Sequence, residues 1–401
     1  MNEQLKFCFH DLITAPRKAF SFKRIGAIGF FMFMALAVYN LLNWLAAWVS
    51  AVSFQEGSTR LGLWWMKFGI LPDFRALNFP WYGQILEYMG FVLAFFLLML
   101  GIYAASRVTF EELKGNFFFG TVDAIKSAFN NWKKVVFSPV LILFLAAAII
   151  IGGLVEALIF KIPYFGEIFN SFIMFLIIPF TLIVLFIGIV GIISLRFTAP
   201  IAAVIEDDFF EVVYQLFSSV SSQPARLIGY SIYNSLQAIV GFFIWLWSLY
   251  QGFQIFYKVF AIVAGDKIFA LVNNAYYYIQ KLFPQWQMID SSPLFAPLQW
   301  IATPSWQKPL SVSATMDFAS YALTFILFLM LLAGVAYYFS ILSVGDTLAY
   351  LIIRYKKDDE DLIKLAQEEE DFDEEVSEEM ADQNLEEVKN ESNPIKGESE
   401  L

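Results

Sequence analysis

Six long apolar stretches constrain this chain more than any other feature of its sequence. A helix that crosses the hydrocarbon core of a bilayer needs about 20 mostly apolar residues. The stretches that meet this length are approximately Ile25–Val52, Ile85–Ser106, Val135–Phe160, Phe169–Leu195, Leu227–Phe256 and Phe318–Ser343. The sequence therefore predicts an all-α fold, a polytopic membrane helical bundle with about six transmembrane helices.

The composition also favours a membrane body over a water-soluble one. Charged residues make up 16% of the chain, whereas soluble proteins typically have about 25%. The 45 Phe and 11 Trp suit contact with lipid and anchoring at the headgroups. The first apolar stretch is longer than that of a signal peptide, so we interpret it as an uncleaved anchor.

Basic residues near the ends of the stretches predict the orientation. Fifteen Lys and Arg lie on the side that carries both termini, and eight lie on the other side. Cytoplasmic loops carry the excess of Lys and Arg in membrane proteins. We therefore expect a multi-pass protein of the plasma membrane, of the bacterial inner-membrane type, with both termini in the cytoplasm.

Charge and apolar pattern together divide the chain into three parts. Residues 1–24 form a predicted cytoplasmic amphipathic segment, and residues 25–357 form the membrane domain, with outer loops at 53–84 and 257–317. Residues 358–401 contain 19 Asp and Glu against three Lys. Like charges at this density resist compaction. A solvated, disordered cytoplasmic tail is therefore expected there.

An apolar spacing within this acidic tail leaves a second interpretation open. Hydrophobic residues recur there at helical intervals, at Leu362, Leu365, Phe372, Val376 and Met380. A narrow apolar stripe of this kind is typical of segments that fold against a partner. The tail is therefore also a candidate docking segment, and its charge favours a basic partner surface.

Three segments predicted on the cytoplasmic side resemble one another. Residues 14–24, 124–134 and 213–226 are each amphipathic, end in basic residues and lead into an apolar stretch. The predicted unit is an amphipathic helix followed by two spans, repeated three times as pseudo-repeated hairpins. Such helices lie in the headgroup plane or pack against the bundle, and both arrangements remain open. The candidate repeat-equivalent or interfacial residues are Arg107, Arg196, Pro200 and Trp132.

The segment after the fourth stretch carries a family resemblance. It reads Arg-Phe-Thr-Ala-Pro-Ile-Ala-Ala-Val-Ile-Glu-Asp-Asp from Arg196 to Asp208 and precedes an amphipathic helix and a new span. It resembles the membrane domain attached to some bacterial glycerophosphodiester phosphodiesterases, and it partly recurs over Arg107–Leu145. The second copy departs from the pattern, because Glu111 to Lys114 replace Pro-Ile-Ala-Val. The chain has no hydrolase domain, so the resemblance implies a membrane architecture and transfers no catalytic residue.

Side chains that carry catalysis or bind metal are scarce. Cys8 and His10 are the single cysteine and histidine of the chain, and their position favours an interfacial segment over a reactive site. No nucleotide-binding, zinc-protease or serine-hydrolase signature occurs. We therefore expect no cofactor and no metal. Asn234 and Ser235 in the fifth stretch are expected to form interhelical hydrogen bonds. The candidate outer-face polar residues are Glu87, Glu156 and Asp317.

These features rank three classes of function. The first is a non-catalytic scaffold or accessory subunit that organises a membrane complex or its lipids. The alternative is a transporter or lipid-handling protein with a cavity between the pseudo-repeats. A membrane enzyme ranks last, and only the three outer carboxyl groups gathered around one cavity would favour it. The expected partners are membrane lipids and a protein that binds the tail or the outer loops. Nucleic acid is not expected, because the basic residues flank spans rather than form one basic face.

Overall fold

The chain folds into α-helices in the part that the structure describes. The computed structural model describes residues 5–51, 79–205, 208–282, 310–368 and 372, and no β-strand occurs within these ranges. In chain order the helices are α1 (Phe9–Ile13), α2 (Ala15–Ala19), α3 (Phe22–Val49), α4 (Trp81–Lys114), α5 (Thr121–Asn130), α6 (Trp132–Phe160), α7 (Phe165–Val204), α8 (Phe209–Ser222), α9 (Pro224–Ala264), α10 (Asp266–Leu282) and α11 (Ala314–Asp358).

Six of these helices are long and apolar enough to cross a membrane. They are α3, α4, α6, α7, α9 and α11, here called spans 1 to 6, and they confirm the predicted polytopic bundle. Spans 2, 4 and 6 continue past their predicted ends to Lys114, Val204 and Asp358. The helices continue because the polar residues that follow the apolar stretches are paired within the bundle, as Arg196 is with Asp346.

Consecutive spans pack together as three hairpins, span 1 with 2, span 3 with 4, and span 5 with 6. Span 6 is central, because it also contacts spans 1, 2 and 4. The second half of span 6 is buried almost throughout from Ser340 to Ile353. There the hydroxyl oxygens of Ser106 and Ser343 lie 2.7 Å apart. Small hydroxylated residues allow helices to approach closely, so this half of span 6 forms the axis of the bundle.

Both ends of the described chain lie on one face of the bundle, here called the terminal face. The rings of Phe7 and Tyr355 stack there with their centroids 4.1 Å apart. Helix α8, which precedes span 5, packs against the bundle through Val212, Leu216 and Val220. Of the two arrangements open for the amphipathic segments, α8 therefore adopts packing against the bundle.

Helix α5, which precedes span 3, turns a different face to the bundle than its apolar spacing indicates. The fully buried residues are Ala124 and Ala128, whereas Val122 is 76% exposed and Phe129 is 43% exposed. Alanine lets α5 approach spans 1 and 2 closely, while Ile125 packs against the core at the edge of this contact and Val122 points outward. The apolar outer face suits contact with lipid at the headgroup level.

The N-terminal segment is inserted into the bundle rather than laid on its surface. Helix α2 packs against span 6, with Ala15 and Ala19 fully buried. The hydroxyl of Tyr337 donates to the carbonyl of Pro16 at 3.1 Å, and that of Ser340 donates to the carbonyl of Ala19 at 2.9 Å. Helix α2 therefore lies between the first and third hairpins at the terminal face.

The first residues of the predicted acidic tail fold back onto the terminal face. Residues 362–368 are helical, and Leu362 and Ile363 pack against the main core. The side-chain amide of Gln367 donates to the carbonyl of Lys114. Leu365 and Phe372 are exposed, at 43% and 64%. The predicted stripe residues Val376 and Met380 lie outside the described residues.

Candidate functional site

An apolar cavity lies in the middle of the bundle between the first and third hairpins. Its volume is about 500 Å³, and spans 1, 2, 5 and 6 each contribute to its wall. The lining includes Tyr39, Ala94, Phe95, Phe242, Phe328 and Phe339. We call it the inter-hairpin cavity.

A second apolar cavity adjoins the first on the side away from the terminal face. Its volume is about 460 Å³, and it lies between spans 5 and 6 and helix α10. Leu246 and Leu331 line both cavities. We call it the outer cavity. The two cavities adjoin at these two side chains, and each falls within the size range of ligand pockets, about 300–1,000 Å³.

Contrasting packing within and between hairpins produces this space. Within the first hairpin, a Cβ added to Gly90 would lie 3.2 Å from Leu42, and one added to Gly101 would lie 3.1 Å from Phe31. Within the third hairpin, a Cβ added to Gly334 would lie 2.6 Å from the Trp245 ring. Glycine thus draws the two helices of each hairpin together. The bulky aromatic rings that face each other between the hairpins leave the gap.

Aromatic side chains contribute to the surroundings of the outer cavity. Phe20, which follows α2, contacts the rings of Tyr337 and Trp245, and Trp245 lines the outer cavity. In the outer cavity, Tyr250 and Tyr276 are among the few polar residues in the lining. Burial raises the pKa of Tyr276 to about 12, and the nearby Tyr250 adds to the shift.

Arg196 joins the second hairpin to the third through a buried polar network. Its guanidinium donates to both carboxylate oxygens of Asp346, at 2.7 and 2.9 Å, and to the hydroxyl of Ser235 at 2.6 Å. The amide of Asn234 donates to the same carboxylate at 2.9 Å. The side chain of Asp346 is 2% exposed and that of Arg196 is 27% exposed. Asn234 and Ser235 thus form the interhelical hydrogen bonds expected of them.

The other repeat-equivalent residues lie in different surroundings. Arg107 pairs with Glu111 at 2.8 Å and donates to the carbonyl of Ala203 at 3.2 Å, so it links spans 2 and 4. Pro200 is buried near the end of span 4. Trp132 begins span 3, is 41% exposed and packs in a tilted arrangement against the ring of Phe137 in its own helix. The two arginines therefore bind the second hairpin to its two neighbours.

The three predicted outer-face carboxyl groups lie in different surroundings. Glu87 is buried within span 2, and Glu156 is half-buried in span 3. Asp317 accepts a hydrogen bond of 2.6 Å from Tyr278 of α10, and this bond raises the pKa of the Tyr278 phenol. The described residues contain no group of three or more His, Cys, Asp or Glu suited to a metal ion.

Sequence reasoning named a cavity between the pseudo-repeats only as an alternative, and it identified neither the residues that line the cavities nor the role of Asp346. Asp346 follows the apolar part of span 6, where hydropathy places it outside the bundle, and only its contact with span 4 reveals its partner. The cavities have no signal in a single span, because their walls come from four spans that are distant in sequence. Comparison of the chain with protein-family models, curated proteins and solved structures finds no match, so the family resemblance stays a prediction.

Proposed function

We propose that this chain is a non-catalytic membrane protein that organises lipid by holding an acyl chain between its first and third hairpins. The observation that carries the proposal is the pair of adjoining apolar cavities that share Leu246 and Leu331. Ligand sites are typically apolar, with a few polar groups that fix orientation. The tyrosines of the outer cavity would supply such groups for the polar end of a lipid.

Packing, rather than hydrophobic transfer, would provide the selectivity of this site. A lipid tail in the bilayer is already in an apolar medium, so its entry into the cavity gains little from leaving water. The gain comes from the close contact of the chain with side chains such as Phe95 and Phe328. Such a site would distinguish tails by length and shape and would exchange them with the bilayer.

We further propose that the terminal face is cytoplasmic and that the membrane is the plasma membrane. The proposal is supported by the 15 Lys and Arg on the terminal side against eight on the opposite side. Cysteine labelling tests it directly. Because Cys8 is the single cysteine, it would react with a membrane-impermeant maleimide in opened but not in intact cells.

Filling the inter-hairpin cavity is expected to abolish lipid retention. Ala94 lines this cavity, and Ala94→Phe would place a ring where the acyl chain lies. The full-length protein, purified in a gentle detergent, is analysed by native mass spectrometry for bound lipid. Ala147→Phe, on an exposed position of span 3, is the matched control and should retain the lipid as the wild type does. Equal lipid retention by Ala94→Phe and wild type would contradict the proposal.

The second hairpin supports an accessory-subunit role as a second candidate. Span 3 has its buried residues between Val135 and Ile142, and span 4, apart from Gly166, has them from Ile187 onward. Beyond these segments the two spans expose large side chains such as Phe175, which is 82% exposed. A Cβ added to Gly152 would meet nothing within 4 Å. This surface would suit close packing of a helix from another membrane protein.

Replacing Gly152 with a larger residue is expected to release a helical partner if the second hairpin binds one. Gly152→Leu would push a closely packed helix away, whereas it leaves the fold of this chain intact. Pull-down of the full-length protein followed by mass spectrometry measures the partner. Gly188→Leu, at another open position of the hairpin, shows how local the effect is. A second version that ends at Glu368 keeps the packed Leu362 and tests whether the acidic tail contributes. Failure of wild type to retain any stoichiometric protein would refute this role.

A further inference from the structure

A polar cavity opens on the terminal face, apart from the two apolar cavities. Its volume is about 920 Å³. Four segments build its walls: the N-terminal segment with α2, the start of span 1, the end of span 2, and the end of span 6 with the chain that follows it. We call it the terminal cavity. It is large enough for a small charged ligand.

The lining of the terminal cavity is predominantly basic. Its acidic residues are Glu112, Asp359 and Asp361. Its basic residues are Lys6, Arg17, Lys18, Arg24 and Lys364. Among the residues that the structure describes, five basic groups line the cavity against three carboxylates, an excess of positive charge. A concave surface lined mainly by one sign of charge attracts ligands of the opposite sign.

Arg24 holds the basic segment in place. It donates from Nε to the hydroxyl of Thr109 at 2.9 Å, from one terminal nitrogen to the carbonyl of Lys18 at 2.6 Å, and from the other to the carboxylate of Glu112. These bonds join α2 to spans 1 and 2. Because Ala15 and Ala19 are buried against span 6, α2 is fixed from both sides. Arg17 and Lys18 are therefore presented to the cavity by an anchored helix.

We propose that the terminal cavity binds a phosphate-bearing anion, the headgroup of an anionic phospholipid or a soluble phosphate ester. Arginine and lysine form charge-assisted hydrogen bonds to phosphate oxygens. Basic pockets beside transmembrane helices on the cytoplasmic side are suited to anionic headgroups. The stacked rings of Phe7 and Tyr355 provide an apolar wall for the ester portion. This site is independent of the acyl-chain site proposed above.

Binding of three probes to the full-length protein in detergent tests the proposal. The probes are dioctanoyl phosphatidylglycerol, dioctanoyl phosphatidylcholine and inorganic phosphate. The two lipids share their acyl chains, so a difference between them reports the headgroup and not the apolar cavities. The test variant is Arg17→Gln with Lys18→Gln, which leaves the Lys18 carbonyl in place. The matched control is Lys126→Gln with Lys133→Gln, two exposed positions on the terminal face outside the cavity.

The expected result is selective binding of phosphatidylglycerol that weakens about tenfold in the test variant and stays unchanged in the control. Displacement of the lipid by inorganic phosphate at similar concentration would identify a soluble ester as the source, and failure of displacement would identify the lipid headgroup. Lys6→Gln, which leaves α2 untouched, should weaken binding in the same direction. Equal binding of both lipids, equal loss in test and control variants, or no binding of any probe would overturn the proposal.

Discussion

Replacing Arg196 with alanine is expected to destabilise the bundle by about 3–5 kcal/mol. The change removes the bidentate partner of Asp346, whose side chain is 2% exposed. Asn234 alone would then face a buried carboxylate. Removing one member of a buried ion pair is costly because the remaining charge has no compensation and no access to water. The second and third hairpins would also lose their strongest polar connection.

Unfolding in mixed micelles of increasing dodecyl sulfate content would measure this loss. Arg226→Ala is the matched control, because Arg226 lies on the same face and is exposed, with a hydrogen bond to Gln223. Its effect should stay within about 0.5 kcal/mol. Replacing both Arg196 and Asp346 with leucine should cost less than the Arg196 change alone, since no buried charge is then left. If Arg196→Ala matched Arg226→Ala, the ion pair would contribute nothing to stability.

The spans could be predicted from the sequence because each is encoded locally. A bilayer imposes a minimum apolar length on every crossing helix, and six stretches satisfied it. The ends of the helices were harder to predict from the sequence. Span 4 continues through Arg196, which hydropathy assigns to water, because Asp346 of span 6 supplies the missing partner. That partner lies 150 residues away in sequence, and no local sequence pattern indicates it.

The placement of the N-terminal segment shows a second limit of sequence reasoning. Its basic and apolar residues indicate an amphipathic helix, and the sequence leaves open whether this helix lies in the headgroup plane or packs against the bundle. The structure buries its smallest residues, Ala15 and Ala19, because alanine allows α2 to pack closely against span 6. Helix α5 likewise buries two alanines, Ala124 and Ala128. Close approach to a neighbouring helix therefore outweighed the apolar face of each segment.

A related limit explains why the position and lining of the candidate site could not be predicted. Glycine and alanine mark places where helices approach, but they do not say which helix approaches. At the level of the inter-hairpin cavity, helices approach closely within hairpins, at Gly90 and Gly334, whereas the first and third hairpins approach each other closely at Ser106 and Ser343. A single sequence gives the spacing of these residues and not their partners. The cavity therefore depends on tertiary packing alone.

Adding a single methyl group at Gly345 is expected to destabilise the bundle by about 2–6 kcal/mol. A Cβ at this position would overlap the side-chain amide of Asn234, and overpacking of a buried contact costs about 1–3 kcal/mol. The displaced amide would also lose its hydrogen bonds to the carbonyl of Leu342, at 3.0 Å, and to Asp346, at 2.9 Å. Buried polar groups without partners cost about 1–3 kcal/mol more.

A glycine in span 5 provides the matched control for Gly345→Ala. Gly229 is exposed in its helix, and a Cβ there would meet nothing within 4 Å. Gly229→Ala should therefore stabilise the bundle by up to about 1 kcal/mol through helix propensity. Shortening the obstructing side chain, in the double variant Gly345→Ala with Asn234→Ala, should cost less than the sum of the two single changes. Strict additivity in that cycle would show that Gly345 does not act by making room for Asn234, and the network around Asp346 would then need a different explanation.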